Sequence, residues 1–285
     1  MIIDFRVRPP IKSFPRLTIF RPDLIASAAV GPWAGESSPS HKALSMDLFL
    51  DELKAAEVTH GVVWGRAVAN VAESTTNDEV AEIVSENNGL FSGFAGIRIP
   101  GPGEIHLALA ELDRAIMSLG LKGITLEPGF SFSVTDGADD RRLYPIYERC
   151  QELGIIVALT ISVRAGTSMR YSNPSAVDRI AGDFPRLNFV VGHAFWPWVS
   201  QGCGVAFRQD NVYLLPDFYG VRMPGHHHWV EAANSFLSER ILFGSAYPVF
   251  DIARLIGEYR QAGYSDGALE KIFYQNAARL LRLPK

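Results

Sequence analysis

The sequence predicts a single (β/α)8 TIM barrel, the fold in which eight parallel strands alternate with outer helices. Short apolar runs alternate with segments of helical periodicity along all 285 residues, which is typical of successive βαβ units. There are eight such runs, the number that closes a barrel. The length also fits one domain, 1–285, without a linker or repeat. The predicted strands are 2–7, 60–65, 91–98, 122–127, 155–161, 188–193, 212–216 and 241–245.

Four of the intervening segments have apolar residues at every third or fourth position, as expected for helices that pack on a sheet. Asn77 and Asp140 are suited to cap helix starts, while Gly120 and Gly154 follow helix ends, where a left-handed residue is favoured. Residues 9–45 are rich in proline and lack periodicity, so we expect a long loop after the first strand. The predicted helices are 46–57, 77–88, 103–119 and 141–153.

Composition favours a compact protein that binds a small molecule. Hydrophobic residues make up 47% and charged residues 20%, enough for a sizeable core. A net charge of −4 gives no reason to expect nucleic acid or an anionic membrane as a partner. The N-terminus lacks the apolar core of a signal peptide, and no stretch reaches the roughly 18 apolar residues of a spanning helix. Cys150 and Cys203 lack a C-x-x-C spacing, which predicts a reducing, cytoplasmic setting.

Five segments, most of them in predicted strands, carry a family resemblance. They are IDFRVRP at 3–9, GITLEP at 123–128, GIIVALTIS at 154–162, FVVGH at 189–193 and ILFGSAYP at 241–248. In this order they resemble the amidohydrolase superfamily, specifically its amidohydrolase-2 branch of metal-dependent hydrolases and decarboxylases. Residues 271–281 look like the C-terminal helix of that family. The resemblance spans nearly the whole chain and implies a hydrolase or carboxy-lyase (a lyase that removes CO2).

The family's metal-binding positions are largely changed in this sequence. Its first-strand motif is Asp-x-His-x-His, in which both histidines point the same way because strand side chains repeat every two residues. Here Arg6 and Arg8 stand in their place, and a guanidinium has no lone pair for a cation. The resemblance places Thr160 at the fifth-strand histidine and Ala246 at the proton-shuttling aspartate. His193 alone is kept, so we expect no metal cofactor.

The candidate site is made of polar residues at the carboxyl ends of the strands, which converge on one mouth in a barrel. The candidate catalytic residues are His193, as a general base near neutral pH, with Asp217 and Glu127 as acids that orient it or pair with arginines. If these acids neutralise Arg6 and Arg8 fully the cluster is structural, and otherwise it binds an anion. The candidates for substrate binding are Arg6, Arg8, Arg66, Thr160, Trp196, Trp198 and Tyr219.

Each of these residues also has a purely structural interpretation. His193 could be held only by hydrogen bonds, Asp217 could cap a turn, and the two tryptophans could pack on helices rather than form an aromatic wall. Tyr219 and Tyr247 are weaker candidates for the same reason. The three adjacent histidines 226–228 point in different directions, so we expect an exposed loop leading into a helix there and no physiological metal site.

Three functions remain open. The first is a metal-independent enzyme in which Arg6 and Arg8 hold a small cyclic or aromatic carboxylate and His193 moves a proton, giving hydrolysis, lactone opening, decarboxylation or isomerisation. The second is a catalytically inactive protein that binds a small anion or a protein partner. The third is a metallo-hydrolase with replacement ligands, for example His193, Glu127 and Asp217. A homo-oligomer is possible, with residues 9–45 contributing to the contact.

Overall fold

The computed structural model describes residues 1–21, 37–87, 89–131, 137–161 and 163–283. At its centre lies a sheet of seven parallel strands whose spatial order follows their order in the chain. Each strand therefore pairs with its sequence neighbour, as in a barrel built from βαβ units. The strands are β1 (Ile2–Val7), β2 (Val58–Trp64), β3 (Phe91–Gly96), β4 (Gly123–Leu126), β5 (Ile156–Thr160), β6 (Phe189–Gly192) and β7 (Val212–Leu215).

The predicted eighth strand, 241–245, occupies its expected place without forming a regular strand. Ile241 makes an isolated parallel bridge with Leu214 of β7, and the amide of Phe5 on β1 donates to the carbonyl of Phe243 at 2.9 Å. The segment thus links the last strand to the first. It ends early because the amide of Phe243 donates to the carbonyl of Ile272 instead of to a strand. The TIM-barrel fold in a single domain is confirmed, with an isolated bridge in place of the predicted eighth strand.

Helices fill the connections between strands, and no helix in the described ranges is long and apolar enough to cross a bilayer. The prediction for 103–119 appears as a helix followed by a π-helical turn, Arg114–Ser118. The helices are α1 (Pro39–Ala43), α2 (Met46–Ala55), α3 (Asn77–Glu86), α4 (Ile105–Asp113), α5 (Tyr144–Leu153), α6 (Pro174–Asp183), α7 (Val199–Arg208), α8 (His226–Ala233), α9 (Ile252–Gln261), α10 (Asp266–Glu270) and α11 (Asn276–Leu281).

Helix caps agree with the sequence in part. Gly154 ends α5 in the left-handed region at φ 63°, as expected. The cap of α3 is Thr76 instead of Asn77, because Thr76 and Glu79 form a reciprocal capping box. The loop predicted for 9–45 contains two short 3-10 turns and α1, and residues 22–36 lie outside the described part of the chain.

Two apolar clusters lie on the two faces of the sheet, one outside and one inside the barrel. The larger packs the outer helices on the sheet, and the smaller draws on alternate strand positions such as Ile3, Phe5 and Trp64, the positions that point into a barrel. Trp64 is fully buried and donates its indole N–H to the carbonyl of Phe5 at 2.7 Å. This apolar interior forms the floor beneath the charged residues described below.

Asp4 fastens β1 to the eighth segment from inside the fold. Its Oδ1 accepts hydrogen bonds from the amides of Ser245 at 2.9 Å and of Arg6 at 3.1 Å. Burial raises the pKa of Asp4 to about 7, although these hydrogen bonds act in the opposite direction. The protonated form of Asp4 is therefore favoured by folding.

We expect Asp4→Asn to remove a pH-dependent part of the stability. The folded-state pKa of Asp4 lies above the ordinary 3.8. The stabilisation of the folded state by protonated Asp4 is therefore complete below pH 3.8 and is lost as the pH rises to about 7. The free energy of unfolding of the variant, measured with urea, should gain up to about 4 kcal/mol on wild type between pH 4 and 7. Asp51→Asn, on the exposed side of α2, is the control; a difference that is constant with pH would contradict the expectation.

Candidate functional site

Charged side chains gather at the carboxyl ends of the strands, as the barrel geometry requires. Arg6 and Arg8 come from the end of β1, and Glu127 directly follows β4. His193 directly follows β6, and Asp217 lies two residues beyond β7. All five residues are buried, so their charges depend on one another and not on water.

Arg6, His193 and Asp217 form a closed cluster of three side chains. Arg6 Nη1 lies 2.7 Å from Asp217 Oδ2 and 2.8 Å from His193 Nε2, while His193 Nδ1 lies 2.9 Å from the same Asp217 oxygen. A guanidinium can only donate, so Nε2 must accept from Arg6. The proton of the neutral ring therefore sits on Nδ1 and is donated to Asp217.

The electrostatics of the cluster agree with that arrangement. Burial, followed by the positive charge of Arg6, lowers the pKa of His193, so its imidazole is neutral at neutral pH. Burial alone would raise the pKa of Asp217, but Arg6 and His193 outweigh it and the pKa is lowered. The cluster is thus a buried Arg6–Asp217 ion pair with a neutral histidine bonded to both partners.

The surrounding structure holds these groups in strained backbone conformations. His193, Ala194 and Phe195 have φ values of 65°, 42° and 67°, and Asp217 has a φ of 55°. Such conformations cost energy and persist only where the surroundings impose them. The hydroxyl of Tyr259 donates to the backbone carbonyl of Asp217 at 2.7 Å, which fixes that turn.

The floor and wall of the cluster include two residues that the sequence interpretation missed. The guanidinium of Arg6 lies 4.8 Å from the ring centre of Trp64, a cation–π contact. A Cβ atom at Gly244 would lie 3.0 Å from Asp217 Oδ1, so a side chain at this position would crowd that carboxylate. Trp64 was detectable near the end of the second predicted strand, 60–65, and Gly244 lies within the ILFGSAYP segment, although neither was named as a site residue.

A second cluster is built around Glu127. Its Oε2 accepts from Arg66 Nε at 2.9 Å, and its Oε1 lies 3.4 Å from Arg8 Nη2. Burial would raise the pKa of Glu127, but Arg66, Arg8 and Arg6 together lower it. Arg66 also donates to Glu73 at 2.9 Å, and its guanidinium lies over the ring of Phe130. Arg66 is therefore firmly held, while Arg8 has only a long contact with its acid.

Arg8 is the least compensated cation of the site. Burial, then the nearby charge of Arg6, lowers its pKa to about 9, and the opposing effect of Glu127 is smaller. Formal charges still balance, because Arg6, Arg8 and Arg66 face Asp217, Glu127 and Glu73. Full neutralisation was the condition for a purely structural cluster, so the balance of charge alone does not indicate an anion site.

Hydrogen-bonding capacity, in contrast, is left over. Four buried polar atoms of the site have no hydrogen-bond partner within the described ranges, namely Arg6 Nε, Arg8 Nε, Thr160 Oγ1 and Asp217 Oδ1. Native structures rarely leave such atoms unsatisfied, and a bound molecule is one established explanation. Three of the four atoms can donate, which suits a ligand that carries acceptor oxygens.

The predicted aromatic residues divide between two places. The ring of Tyr219 meets that of His193 edge-on at 5.2 Å, and Trp196 stacks on Tyr219 at 4.9 Å. Trp196 therefore borders the site through Tyr219. Trp198 does not join them, because it lines a separate cleft with residues of α6 and α7 that contains none of the charged site residues.

Tyr247 and the histidines 226–228 have structural roles. Tyr247 pairs its hydroxyl with that of Ser40 at 2.7 Å, which anchors α1 to the segment after residue 245. The three histidines form the first turn of α8 and not the expected loop. His228 Nδ1 lies 2.9 Å from the hydroxyl of Ser200, so that ring is engaged between α7 and α8.

The residues present do not fit a divalent cation. Arg6 Nη1 already contacts His193 Nε2 and Asp217 Oδ2, the two atoms that a cation at this place would need. The alternative ligand set of His193, Glu127 and Asp217 is not assembled, since both oxygens of Glu127 face arginines. In the ranges that the structure describes, no three His, Cys, Asp or Glu side chains are grouped so as to hold a metal.

Partial similarity links the chain to two curated enzymes. It is 35% identical over 81 residues to a 2-amino-3-carboxymuconate-6-semialdehyde decarboxylase of Dictyostelium discoideum, covering 28% of this chain and 21% of that protein. It is 26% identical over 145 residues to a 2-keto-4-carboxy-3-hexenedioate hydratase of Sphingobium sp., covering 46% of this chain and 42% of that protein. The matches thus span less than half the length of either relative.

Solved structures match along the whole chain. A TIM-barrel protein from Bordetella bronchiseptica is 38% identical with a TM-score of 0.91, covering 99% of this chain and 98% of that chain. A dihydroxybenzoic acid decarboxylase from Polaromonas sp. JS666, solved with manganese and 2-nitroresorcinol, is 18% identical with a TM-score of 0.64, covering 99% and 97%. That second likeness shows the fold alone.

The sequence profile of the amidohydrolase family covers almost the entire chain, from residue 7 to residue 283. This match and the 38% identity to a full-length barrel agree with the order of the strands and with the position of the site at their carboxyl ends. The chain therefore belongs to the amidohydrolase-2 family.

Proposed function

We propose that this chain is a metal-independent member of the family that decarboxylates a small cyclic or aromatic carboxylate. The observation that carries the proposal is the Arg6–His193–Asp217 cluster beside Arg8, whose guanidinium has an unpaired Nε and only a 3.4 Å contact with Glu127. A decarboxylase and a hydratase among the partial relatives, both named for carboxylated compounds, support this class of substrate.

The ligand carboxylate is bound by Arg8 with help from the Thr160 hydroxyl. Both carry a donor without a partner in the described ranges, and a guanidinium bonds a carboxylate through parallel N–H groups. Tyr219 and Trp196 stand beside the cluster and suit the planar body of the ligand. Because the side chains of the site balance in formal charge, an added anion favours the uptake of a proton by a neighbouring group.

His193 is the group that takes up this proton. As the carboxylate arrives, its negative charge raises the affinity of His193 Nε2 for a proton, and Arg6 turns from Nε2 toward the ligand. Asp217 stays bonded to Nδ1 and stabilises the imidazolium. His193, whose basic nitrogen Nε2 first accepts a hydrogen bond from Arg6, thereby becomes a general acid.

The reaction then consumes one proton, which His193 has taken from the solvent, and needs no further reactant. The bond between the ring carbon and the carboxylate breaks, CO2 leaves, and the electron pair left on carbon takes the Nε2 proton to form a C–H bond. Arg6 and Arg8 stabilise negative charge while it develops, which is the part that fixed cationic donors perform well. Hydrolysis and lactone opening fit less well, since Nε2 carries a proton once the anion is bound and cannot then activate water as a base.

Arg8→Met and His193→Asn should separate binding from chemistry. With hydroxybenzoates such as 2,6-dihydroxybenzoate as substrates, Arg8→Met should raise KM about 10-fold or more, because charge-assisted hydrogen bonds are lost. His193→Asn should lower kcat at least about 100-fold and change KM little, because the proton donor is lost. Product formation is measured by mass spectrometry.

Arg260→Met serves as the control for that experiment, since Arg260 is exposed and pairs only loosely with Glu57, at 3.7 Å. Full turnover by His193→Asn would exclude the proposed chemistry. Calorimetric binding of the carboxylate by wild type without any product would instead support a member of the family that binds a small anion and catalyses nothing.

Removal of metal should leave activity unchanged. Tag-free protein dialysed against a chelator should hold less than about a tenth of an equivalent of zinc, manganese or iron, because the donor atoms that a cation needs are bonded to arginines. Turnover should be the same before and after dialysis. Activity that is lost on chelation and returns with Mn²⁺ would overturn the metal-independent mechanism.

A further inference from the structure

We propose that Glu73, which meets the charged site through Arg66, sets how strongly Arg8 binds an anion by competing with Glu127 for Arg66. The proposal rests on the proposed function in one respect, the assignment of Arg8 to the ligand carboxylate. Glu73 acts as a positioning residue, because it works through Arg66 and Glu127.

A continuous chain of contacts joins the segment after β1 to Arg8. Thr18 donates its amide to both carboxylate oxygens of Glu73 at 3.0 Å, and Glu73 Oε2 accepts from Arg66 Nη1 at 2.9 Å. Arg66 Nε then bonds Glu127 Oε2 at 2.9 Å, and Glu127 Oε1 faces Arg8 Nη2 at 3.4 Å. Five residues from the connections that follow β1, β2 and β4 are thus joined in series.

The unequal distances show how the acids are shared. Arg66 divides its donors between two carboxylates, Glu127 at 5% exposed and Glu73 at 21% exposed, and its Nη1 also donates to the backbone carbonyl of Glu73 at 2.9 Å. Glu127 is held closely by Arg66 and only loosely by Arg8. The position of Glu127 between its two arginines therefore depends on how much of Arg66 is taken by Glu73.

Opposite substitutions should move Glu127 in opposite directions. In Glu73→Gln the carboxylate competitor is gone, so Arg66 draws Glu127 closer and Arg8 is freed for an anion. In Arg66→Met nothing holds Glu127 away from Arg8, so the two close into an ion pair that competes with the ligand. Thr18 belongs to the same chain, since it fixes the carboxylate of Glu73 with three hydrogen bonds.

A simple change in net charge would shift affinity in the same directions, so the test has to separate transmission through Arg66 from a general field. A double-mutant cycle does so, because residues that act in series are not additive. If Glu73 acts through Arg66, Glu73→Gln has no effect once Arg66 is methionine. If Glu73 acts only through its charge, the effect of Glu73→Gln persists in both backgrounds.

The cycle is measured by calorimetry with 2,6-dihydroxybenzoate at constant ionic strength, with every variant made in the slow His193→Asn background so that the heat reports binding. Glu73→Gln should tighten binding about 5-fold and Arg66→Met should weaken it about 10-fold, as expected for single charge-assisted contacts. The double variant should equal Arg66→Met within about 1.5-fold. Glu82→Gln, a like change at an exposed residue that pairs with Lys12, should leave affinity unchanged. Equal effects of Glu73→Gln in both backgrounds would refute the proposal.

A second test measures the distance between Arg8 and Glu127 and needs no ligand. In crystal structures, the distance between Arg8 Nη2 and Glu127 Oε1, now 3.4 Å, should shorten to about 2.9 Å in Arg66→Met and lengthen in Glu73→Gln. An unchanged distance in both variants would refute the relay. Failure of wild type to bind any carboxylate would count against the proposed function and leave this structural readout to decide the role of Glu73.

Discussion

The buried ion pair between Arg6 and Asp217 is the interaction on which the site depends. The two residues are 211 positions apart in sequence and lie at the carboxyl ends of the first and seventh strands, so their contact bridges the eighth segment that lies between these strands. Buried charges are tolerated only when they are paired and hydrogen-bonded. The pair in turn dictates the state of His193, since a donor on one side and a carboxylate on the other leave one tautomer and a neutral ring.

This pairing explains how a barrel of the amidohydrolase-2 family can carry a different kind of electrostatics at the same location. A metal ion offers a compact positive charge that needs lone pairs around it, whereas a guanidinium brings its own positive charge and needs acceptors. The surrounding structure meets that second need with Asp217 and Glu127 and with the face of Trp64. Under the proposed function the arginines stabilise the anion that a cation would otherwise polarise, although the fold by itself does not decide the chemistry.

Sequence patterns located the elements that supply the site but not all of its parts. Arg6, His193 and Asp217 were recognisable because each stands at a strand end. Tyr259 and Glu73 were not, because one lies in an outer helix and the other in a 3-10 turn, and their importance comes from a contact with a residue distant in the chain. Trp198 was assigned to the mouth on the basis of its neighbours in sequence, yet the turn after His193 directs it to the cleft beside α6.

The sequence by itself determined the barrel, because the alternation of apolar runs and helical periodicity is a local property that can be read without knowing any tertiary contact. It also determined the loss of lone pairs at residues 6 and 8, because that follows from side-chain chemistry alone. Only the tertiary structure decided which acid belongs to which arginine. Asp217 pairs with Arg6, and Glu127 pairs mainly with Arg66. Arg8 therefore keeps an N–H group without a hydrogen-bond partner in the described ranges. That division depends on differences of a few tenths of an ångström between side chains from separate strands, a quantity that no local pattern encodes.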